Sequence, residues 1–270
     1  MTARFAKLLR DAKEMVQEQV EYRDLLYQMT KRDLLLRYKQ TVMGFGWAIF
    51  TPLINTAIFS VIFTRVAPID TEVPYPLFAY CGLWAWNFTA SSLKFAVNSL
   101  TGNSSLVTKV YFPREIFPLS AVVVCIVDFA VASVVLVAMM IYWRIPVGAP
   151  LLMFPVVLVI QLAFNMAVAL MLAMWNLFYR DIKYLFEVVI VVWMFGTSVL
   201  YPTGMVGGRL STLLQLNPMT PIIDGYRSVL LYSQWPAIGP LAATGVGAFL
   251  LLGLAWISFH RAEFEFAESV

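Results

Sequence analysis

Charged residues are scarce in this chain: they make up 13% of its 270 residues, where a soluble domain carries about 25%. Hydrophobic residues make up 60%. A soluble fold of this length could not bury so much apolar surface, whereas a lipid bilayer accommodates it. The composition therefore predicts an integral, all-α membrane protein. It also leaves no charged surface for nucleic acid.

Histidine and phosphate-binding motifs are nearly absent. His260 is the only histidine, which argues against a zinc site and against histidine acid–base catalysis. No Gly-Lys pair occurs, so the phosphate-cradling loop of ATPases is missing. We predict that the chain is not an enzyme and binds neither metal nor cofactor itself. Energy for uphill transport would have to come from a partner or from an ion gradient.

Six apolar stretches are each about long enough, near 20 residues, to cross a bilayer as a helix. With the N-terminus in the cytoplasm, fifteen Lys or Arg lie on the inner side and four on the outer side. This asymmetry predicts that both termini are cytoplasmic. The predicted spans are about 45–64, 76–97, 118–141, 151–176, 185–204 and 238–259, within a membrane domain of residues 44–260.

Residues 1–43 precede the first span and form a predicted helical segment, while 261–270 form a cytoplasmic tail. Apolar residues recur three and four apart at Leu25, Leu26 and Met29, which is typical of an amphipathic helix. With basic residues on the other face, such a helix lies along the membrane surface. A solvated helix that leads into the first span is the alternative for the part before residue 21.

Two connections carry further signals. The inner one, about 99–116, mixes apolar and polar residues ahead of Pro113; it is either a helix that a cytosolic partner grips or a plain interfacial loop. The outer one, about 201–236, is broken by glycines and prolines into apolar pieces too short to span. These pieces predict re-entrant or interfacial helices, which either cover an exit or simply pack at the surface.

The second span mixes aromatic and polar side chains on one helical face. A face of this kind is costly against lipid, so it faces protein or a conduit. Aromatic rings flanked by amides and hydroxyls suit a passing sugar chain. The alternative is that these side chains hold neighbouring helices together. The residues of this predicted conduit are Tyr80, Trp84, Asn87, Phe88, Ser91 and Phe95.

Asp128 lies near the middle of the third span. An ionised, unpaired carboxylate at that depth costs roughly 3 kcal/mol, so it must be protonated, paired or hydrated. Lys94 enters its own span from the same side and is the predicted partner of an intramembrane charge pair. A proton relay is the weaker alternative because this span holds one titratable group.

Four stretches in order resemble permeases of the type-2 ABC exporter superfamily, in the branch that exports O-antigen, teichoic acid and capsular polysaccharide. They are LRYKQTVMGFGWAIFTP from Leu36, then PLFAYCGLWAWNF with NSSLVTKVYFPREIFPLSAV, then FYRDIKYLFE, and NPMTPIIDGYR. The likeness runs from about residue 30 to 260. It implies a homodimer that pairs with two copies of a separate ATPase subunit, which binds ATP and magnesium. It also implies export of a polysaccharide linked to undecaprenyl pyrophosphate.

The resemblance assigns roles to particular residues. The loop that couples the permease to the ATPase would contain Ser104, Leu106, Val107, Lys109, Tyr111 and Arg114. The headgroup of the cargo would be attracted by Arg32, Arg37 and Lys39. The outer lid would include Tyr201, Pro202, Asn217, Pro218 and Pro221.

The sequence thus predicts the permease subunit of an ATP-driven exporter of lipid-linked polysaccharide in the cytoplasmic (inner) membrane. A small-molecule or drug exporter of the same superfamily is one alternative, and would want a more uniformly apolar conduit. An integral membrane enzyme of glycolipid synthesis and a proton-coupled carrier are the others.

Overall fold

The computed structural model describes residues 21–39, 41, 43–109, 112–205, 207–208 and 214–269. This part of the chain is helical and contains no β-strand. The α-helices are α1 (Arg23–Tyr38), α2 (Gly46–Val61), α3 (Tyr75–Val97), α4 (Ser104–Lys109), α5 (Ile116–Tyr142), α6 (Phe154–Phe178), α7 (Ile182–Phe195), α8 (Met219–Leu230) and α9 (Ile238–Ser269). The predicted helix before residue 21, and Tyr111, lie outside the described residues.

Within the described residues, four helical segments are long and apolar enough to cross a membrane: Gly46–Val66, Ile116–Tyr142, Ala149–Phe178 and Ile238–Glu263. A π-helix, Ile62–Val66, extends α2, and a 3-10 helix, Ala149–Met153, precedes α6. The other two predicted spans fall on α3, which carries many polar groups, and on α7. With 14 residues, α7 is about 21 Å long, shorter than the hydrocarbon core of about 30 Å. The count of six spans stays a prediction.

The helix at the centre of the fold is α3. It contacts α2, α5, α6, α7 and α8, and most of its side chains are buried. Of the face that was expected to point away from lipid, Tyr80, Trp84 and Phe88 are buried, whereas Phe95 is 45% exposed. The mixed composition of α3 is tolerated because protein surrounds it.

A buried amide joins α3, α6 and α8. Nε2 of Gln161 donates hydrogen bonds to the carbonyl oxygen of Ala85 (2.8 Å) and to the hydroxyl of Thr89 (3.0 Å). Its Oε1 accepts a hydrogen bond from the hydroxyl of Tyr226 (2.8 Å). All three polar side chains are buried. Because every member has a partner, this network avoids the cost of an unsatisfied polar group in an apolar interior.

The fifth predicted span, 185–204, is helical only as far as Phe195. The chain then turns through Thr197–Leu200, which is buried. Non-helical backbone at this depth needs donors from the protein, and Arg227 of α8 supplies them to the carbonyl oxygens of Ser198 and Val199. The early end of α7 therefore depends on a residue about 30 positions further along the chain.

A second core cluster joins α4, the start of α5, α6 and α9. Leu25, Leu26 and Met29 of α1 are partly buried against it. These side chains were predicted to face the membrane surface, and they contact protein instead. The reason is that α1 packs along α5, which offers the same apolar environment as the lipid.

Candidate functional site

The first half of α5 is covered by α1. Ser120 donates to Asp33 at 3.3 Å, and Arg37 pairs with Asp128. These two contacts are eight residues apart on α5, or about 12 Å along its axis. The C-terminal end of α1 therefore reaches the middle of α5.

A cavity of about 480 Å³ opens where α1 ends, between α2, α3 and α5. Its wall combines aromatic rings, amides, hydroxyls and three charged side chains. The lining residues that carry these groups are Arg37, Tyr38, Trp47, Thr51, Asn55, Trp84, Asn87, Phe88, Ser91, Lys94, Asp128 and Phe129.

The carboxylate of Asp128 is held by two residues of α1. Nη1 of Arg37 lies 2.7 Å from its Oδ2, and the hydroxyl of Tyr38 donates to its Oδ1. The guanidinium of Arg37 also lies 4.2 Å from the ring centroid of Phe95. The predicted partner Lys94 lines the same cavity, but Asp128 makes its ion pair with Arg37. The prediction was wrong because it considered only spanning helices, whereas α1 brings a cation to this depth.

The residues of the predicted conduit divide into two groups. Trp84, Asn87, Phe88 and Ser91 line the cavity. Tyr80 is fully buried, and its hydroxyl donates to the carbonyl oxygen of Ala132 at 2.9 Å. Tyr80 therefore packs helices together, which was the alternative role considered for this face.

Trp84 does both. It stacks on Phe129 of α5 with ring centroids 3.9 Å apart, and its Nε1 donates to the carbonyl oxygen of Phe129 at 3.0 Å. Trp84 also borders the cavity. Phe95 is 45% exposed and lines a neighbouring cavity of about 370 Å³ together with Asp33 and Arg37.

Of the three basic residues expected near the headgroup, Arg37 alone lines the larger cavity. Arg32 pairs with Asp33 at 2.7 Å and donates to Oδ1 of Asn103 at 3.0 Å. Lys39 is exposed at the end of α1. Arg32 thus ties α1 to the connection before α4.

The predicted coupling loop contains α4. Val107 is fully buried in the second cluster and Leu106 packs against it, so these residues anchor the loop. The backbone N–H of Arg114 donates to Glu263 of α9 at 2.9 Å. Ser104 borders a polar cavity of about 510 Å³ with Arg180 of the α6–α7 connection and Lys183 in the first turn of α7. Lys109 ends α4.

Asn217 holds together the region that was predicted to form the outer lid. Its Oδ1 accepts hydrogen bonds from Trp193 Nε1 (3.1 Å) and from the backbone N–H of Met219 (3.0 Å). Its Nδ2 donates a hydrogen bond to the carbonyl oxygen of Gly196 (2.7 Å). Tyr201 donates to the carbonyl oxygen of Phe195 at 2.7 Å. Pro218 immediately precedes α8, Pro221 lies in its first turn, and Pro202 precedes the 3-10 helix Thr203–Met205.

Arg227 was not predicted as a functional residue from the sequence, where it counted only among the positive charges expected on the outer side. The guanidinium is 2% exposed, lies 3.6 Å from the ring centroid of Phe78, and donates to the carbonyl oxygen of Val199 at 2.6 Å. Asp224 lies 3.5 Å from it. An Arg three residues after an Asp in an otherwise apolar stretch was the available signal.

One group of side chains in the described part of the chain could hold a metal ion: Glu115, His260 and Glu263, whose ligand atoms lie within 4.8 Å of one another. His260 Nδ1 lies 3.4 Å from Glu115 and 3.7 Å from Glu263. An ion pair shared between the histidine and the two carboxylates accounts for this group equally well.

Comparison with known proteins is consistent along the chain. A sequence profile of ABC-2 type transporters matches residues 24–231. The O-antigen export system permease protein RfbA of Myxococcus xanthus is 32% identical over 260 residues, covering 95% of this chain and 99% of that protein. Two proteins of the same name from Klebsiella pneumoniae are 29% and 28% identical over 249 residues, covering 91% of this chain and 94% of each.

Proposed function

This chain belongs to the ABC-2 type transporter family, and from this premise we propose that it is the membrane-spanning subunit of an ATP-driven exporter. The cargo is a lipid-linked polysaccharide of the O-antigen type, moved across the cytoplasmic membrane. The observation that carries the proposal is similarity to an O-antigen export permease over 95% of this chain and 99% of the relative. Such full-length similarity leaves no large part of the relative without a counterpart.

The chemistry of the cavity supports a glycan rather than an apolar drug. Its wall places the rings of Trp47, Trp84 and Phe88 beside the amides of Asn55 and Asn87. Sugars present apolar C–H faces to rings and hydroxyl groups to amides. A pocket for an apolar molecule is lined predominantly by hydrophobic groups with few polar ones, unlike this wall.

Coupling to ATP hydrolysis is proposed to run through α4. Movement of α4 by an ATPase subunit would be transmitted to α1 through the hydrogen bond between Arg32 and Asn103. It would be transmitted to α9 through the hydrogen bond between Arg114 and Glu263. Because α1 contacts the coupling loop and also ends at the cavity, this one helix would connect the loop to the cargo site. ATP and magnesium would bind to the partner subunit.

We further propose a homodimer with six spans per subunit and both termini in the cytoplasm. Along α7, Leu185, Val188, Val192 and Phe195 are exposed, although this helix is too short to cross the bilayer alone. A second copy or lipid would cover this apolar face. The outer region 201–236 would close the exit of the channel.

The proposal is tested by depleting the protein and following both surface glycan and intracellular lipid-linked glycan. The expected result is loss from the surface with accumulation inside. Unchanged surface glycan would overturn the proposal in favour of a small-molecule exporter. Loss of both pools would indicate an enzyme of glycolipid synthesis.

A further inference from the structure

The cavity at the end of α1 carries a net positive charge. Among the described residues that line it, Arg37 and Lys94 are cations and Asp128 is the anion. In surroundings of low dielectric constant one unmatched positive charge attracts an anion strongly. The cavity therefore favours a ligand that carries negative charge.

Arg37 is already engaged, but only in part. Its Nη1 lies 2.7 Å from Asp128 Oδ2, and a guanidinium has five N–H donors. The ring of Phe95, 4.2 Å from the guanidinium, supports it by a cation–π contact. Arg37 can therefore keep its position while it exchanges one anionic partner for another.

The carboxylate of Asp128 would not be left without a hydrogen-bond partner by such an exchange. The hydroxyl of Tyr38 donates to its Oδ1, so the carboxylate retains a hydrogen bond when Arg37 turns away. This matters because breaking a buried ion pair is costly when the remaining charge has no partner. Asp128 thus has a second partner besides Arg37, as an exchangeable counter-ion requires.

We propose that Asp128 is the resident counter-ion of Arg37, and that the diphosphate of the cargo binds this cavity by taking Arg37 from it. Identification of the cargo rests on the proposed function. Arg37 then makes a bidentate contact with phosphate oxygens, which suits a planar guanidinium. Asn87 adds a donor, since its buried Nδ2 has no hydrogen-bond partner among the described residues.

Competition with Asp128 gives the site its selectivity. The headgroup of a bulk anionic phospholipid is a phosphate diester with one negative charge, the same as the carboxylate that it would have to displace. A diphosphate carries more charge and more acceptor oxygens. Asp128 thus keeps Arg37 away from ordinary lipids and admits the cargo, which makes it a specificity-determining residue.

The test uses the purified full-length protein in nanodiscs of phosphatidylcholine, titrated with inorganic pyrophosphate and with dimethyl phosphate. The wild-type protein is expected to bind pyrophosphate at least about tenfold more tightly. Asp128→Asn is expected to tighten dimethyl phosphate binding by about tenfold, because the competing charge is gone. Asp128→Ser is a second neutral variant, with a smaller side chain that keeps a hydrogen-bonding oxygen.

Two further variants serve as controls. Asp33→Asn removes a carboxylate that pairs with Arg32 of the same helix, also at 2.7 Å, but that does not line this cavity. It is expected to leave both affinities unchanged. The double variant Arg37→Gln with Asp128→Asn keeps the cavity's net charge and is expected to lose pyrophosphate binding without loss of thermal stability.

Unchanged selectivity in both Asp128 variants would overturn the inference, and so would an equal effect of Asp33→Asn. The outcome is separable from that of glycan depletion. Depletion that blocks glycan export, together with no pyrophosphate binding by any variant, would overturn this inference alone. Widened anion binding in Asp128→Asn, together with unchanged surface glycan, would overturn only the assignment of the cargo.

Discussion

Gly82 lies against the backbone of Val199, so close that a β-carbon on Gly82 would be 2.3 Å from the carbonyl oxygen of Val199. The same β-carbon would be 2.5 Å from Nη2 of Arg227. The central helix α3 therefore needs a residue without a side chain where it passes the turn that follows α7. Three separate parts of the chain, α3, the turn after α7 and α8, therefore meet at this point.

Gly82→Ala is expected to destabilise the protein. Because the nearest atom belongs to the backbone, α3 or the turn must shift, and overpacking of this kind costs about 1–3 kcal/mol. The measurement is the thermal unfolding midpoint of the purified protein in detergent. Gly247→Ala is the control, since a β-carbon there has no neighbour within 4 Å. Equal midpoints for the two variants would contradict the close contact.

Arg227→Met is expected to loosen the turn after α7. The carbonyl oxygens of Ser198 and Val199 would lose their donors, and a buried acceptor without a partner costs about 1–3 kcal/mol. The unfolding midpoint should fall, and hydrogen exchange should rise in residues 196–202. Arg65→Met, at an exposed arginine, is the matched control. Unchanged exchange in that segment would show that Arg227 does not support it.

The sequence predicted the helices well and their ends less well. Predicted spans 45–64, 76–97, 118–141, 151–176 and 238–259 coincide with helices because apolar length is a local property. The end of α7 at Phe195 could not be predicted, since it depends on Arg227 of α8. Local sequence does not indicate which distant side chain will donate hydrogen bonds to the carbonyl groups that are left free where a helix ends.

The candidate site was predicted in its chemistry but not in all its pairings. Helical periodicity placed Trp84, Asn87 and Ser91 on one face, and the structure brings them to one cavity. The partner of Asp128 was misassigned, because α1 was expected to stay at the membrane surface. The depth of a helix relative to its neighbours depends on packing that periodicity does not report.

Ser91→Leu is expected to lower glycan export severalfold while the protein remains folded. Ser91 lines the cavity, so a larger apolar side chain narrows it and removes a hydroxyl. Ser91 is a better choice than Trp84, whose loss would also disrupt the stacking on Phe129. Surface glycan in a complemented depletion strain is the readout. Ser133→Leu, on α5 at a residue that does not line the cavity, should retain export. Equal export by both variants would contradict a role of the cavity.

Lys109→Gln is expected to uncouple ATP hydrolysis from export, because Lys109 ends the helix that is proposed to contact the ATPase. Hydrolysis by the complex should continue while surface glycan falls. Lys31→Gln, at an exposed lysine of α1, controls for the loss of one positive charge outside the loop. Unchanged export by Lys109→Gln would count against the coupling role of this loop.

The most direct test of the account asks whether the cargo enters the cavity. A photo-activatable cross-linking residue replaces Asn55, which lines the cavity, or Leu254, which is 66% exposed on α9. After illumination of living cells, the purified protein is analysed for attached glycan. The account predicts glycan on the Asn55 variant and none on the Leu254 variant. Glycan on neither variant, or equally on both, would contradict it.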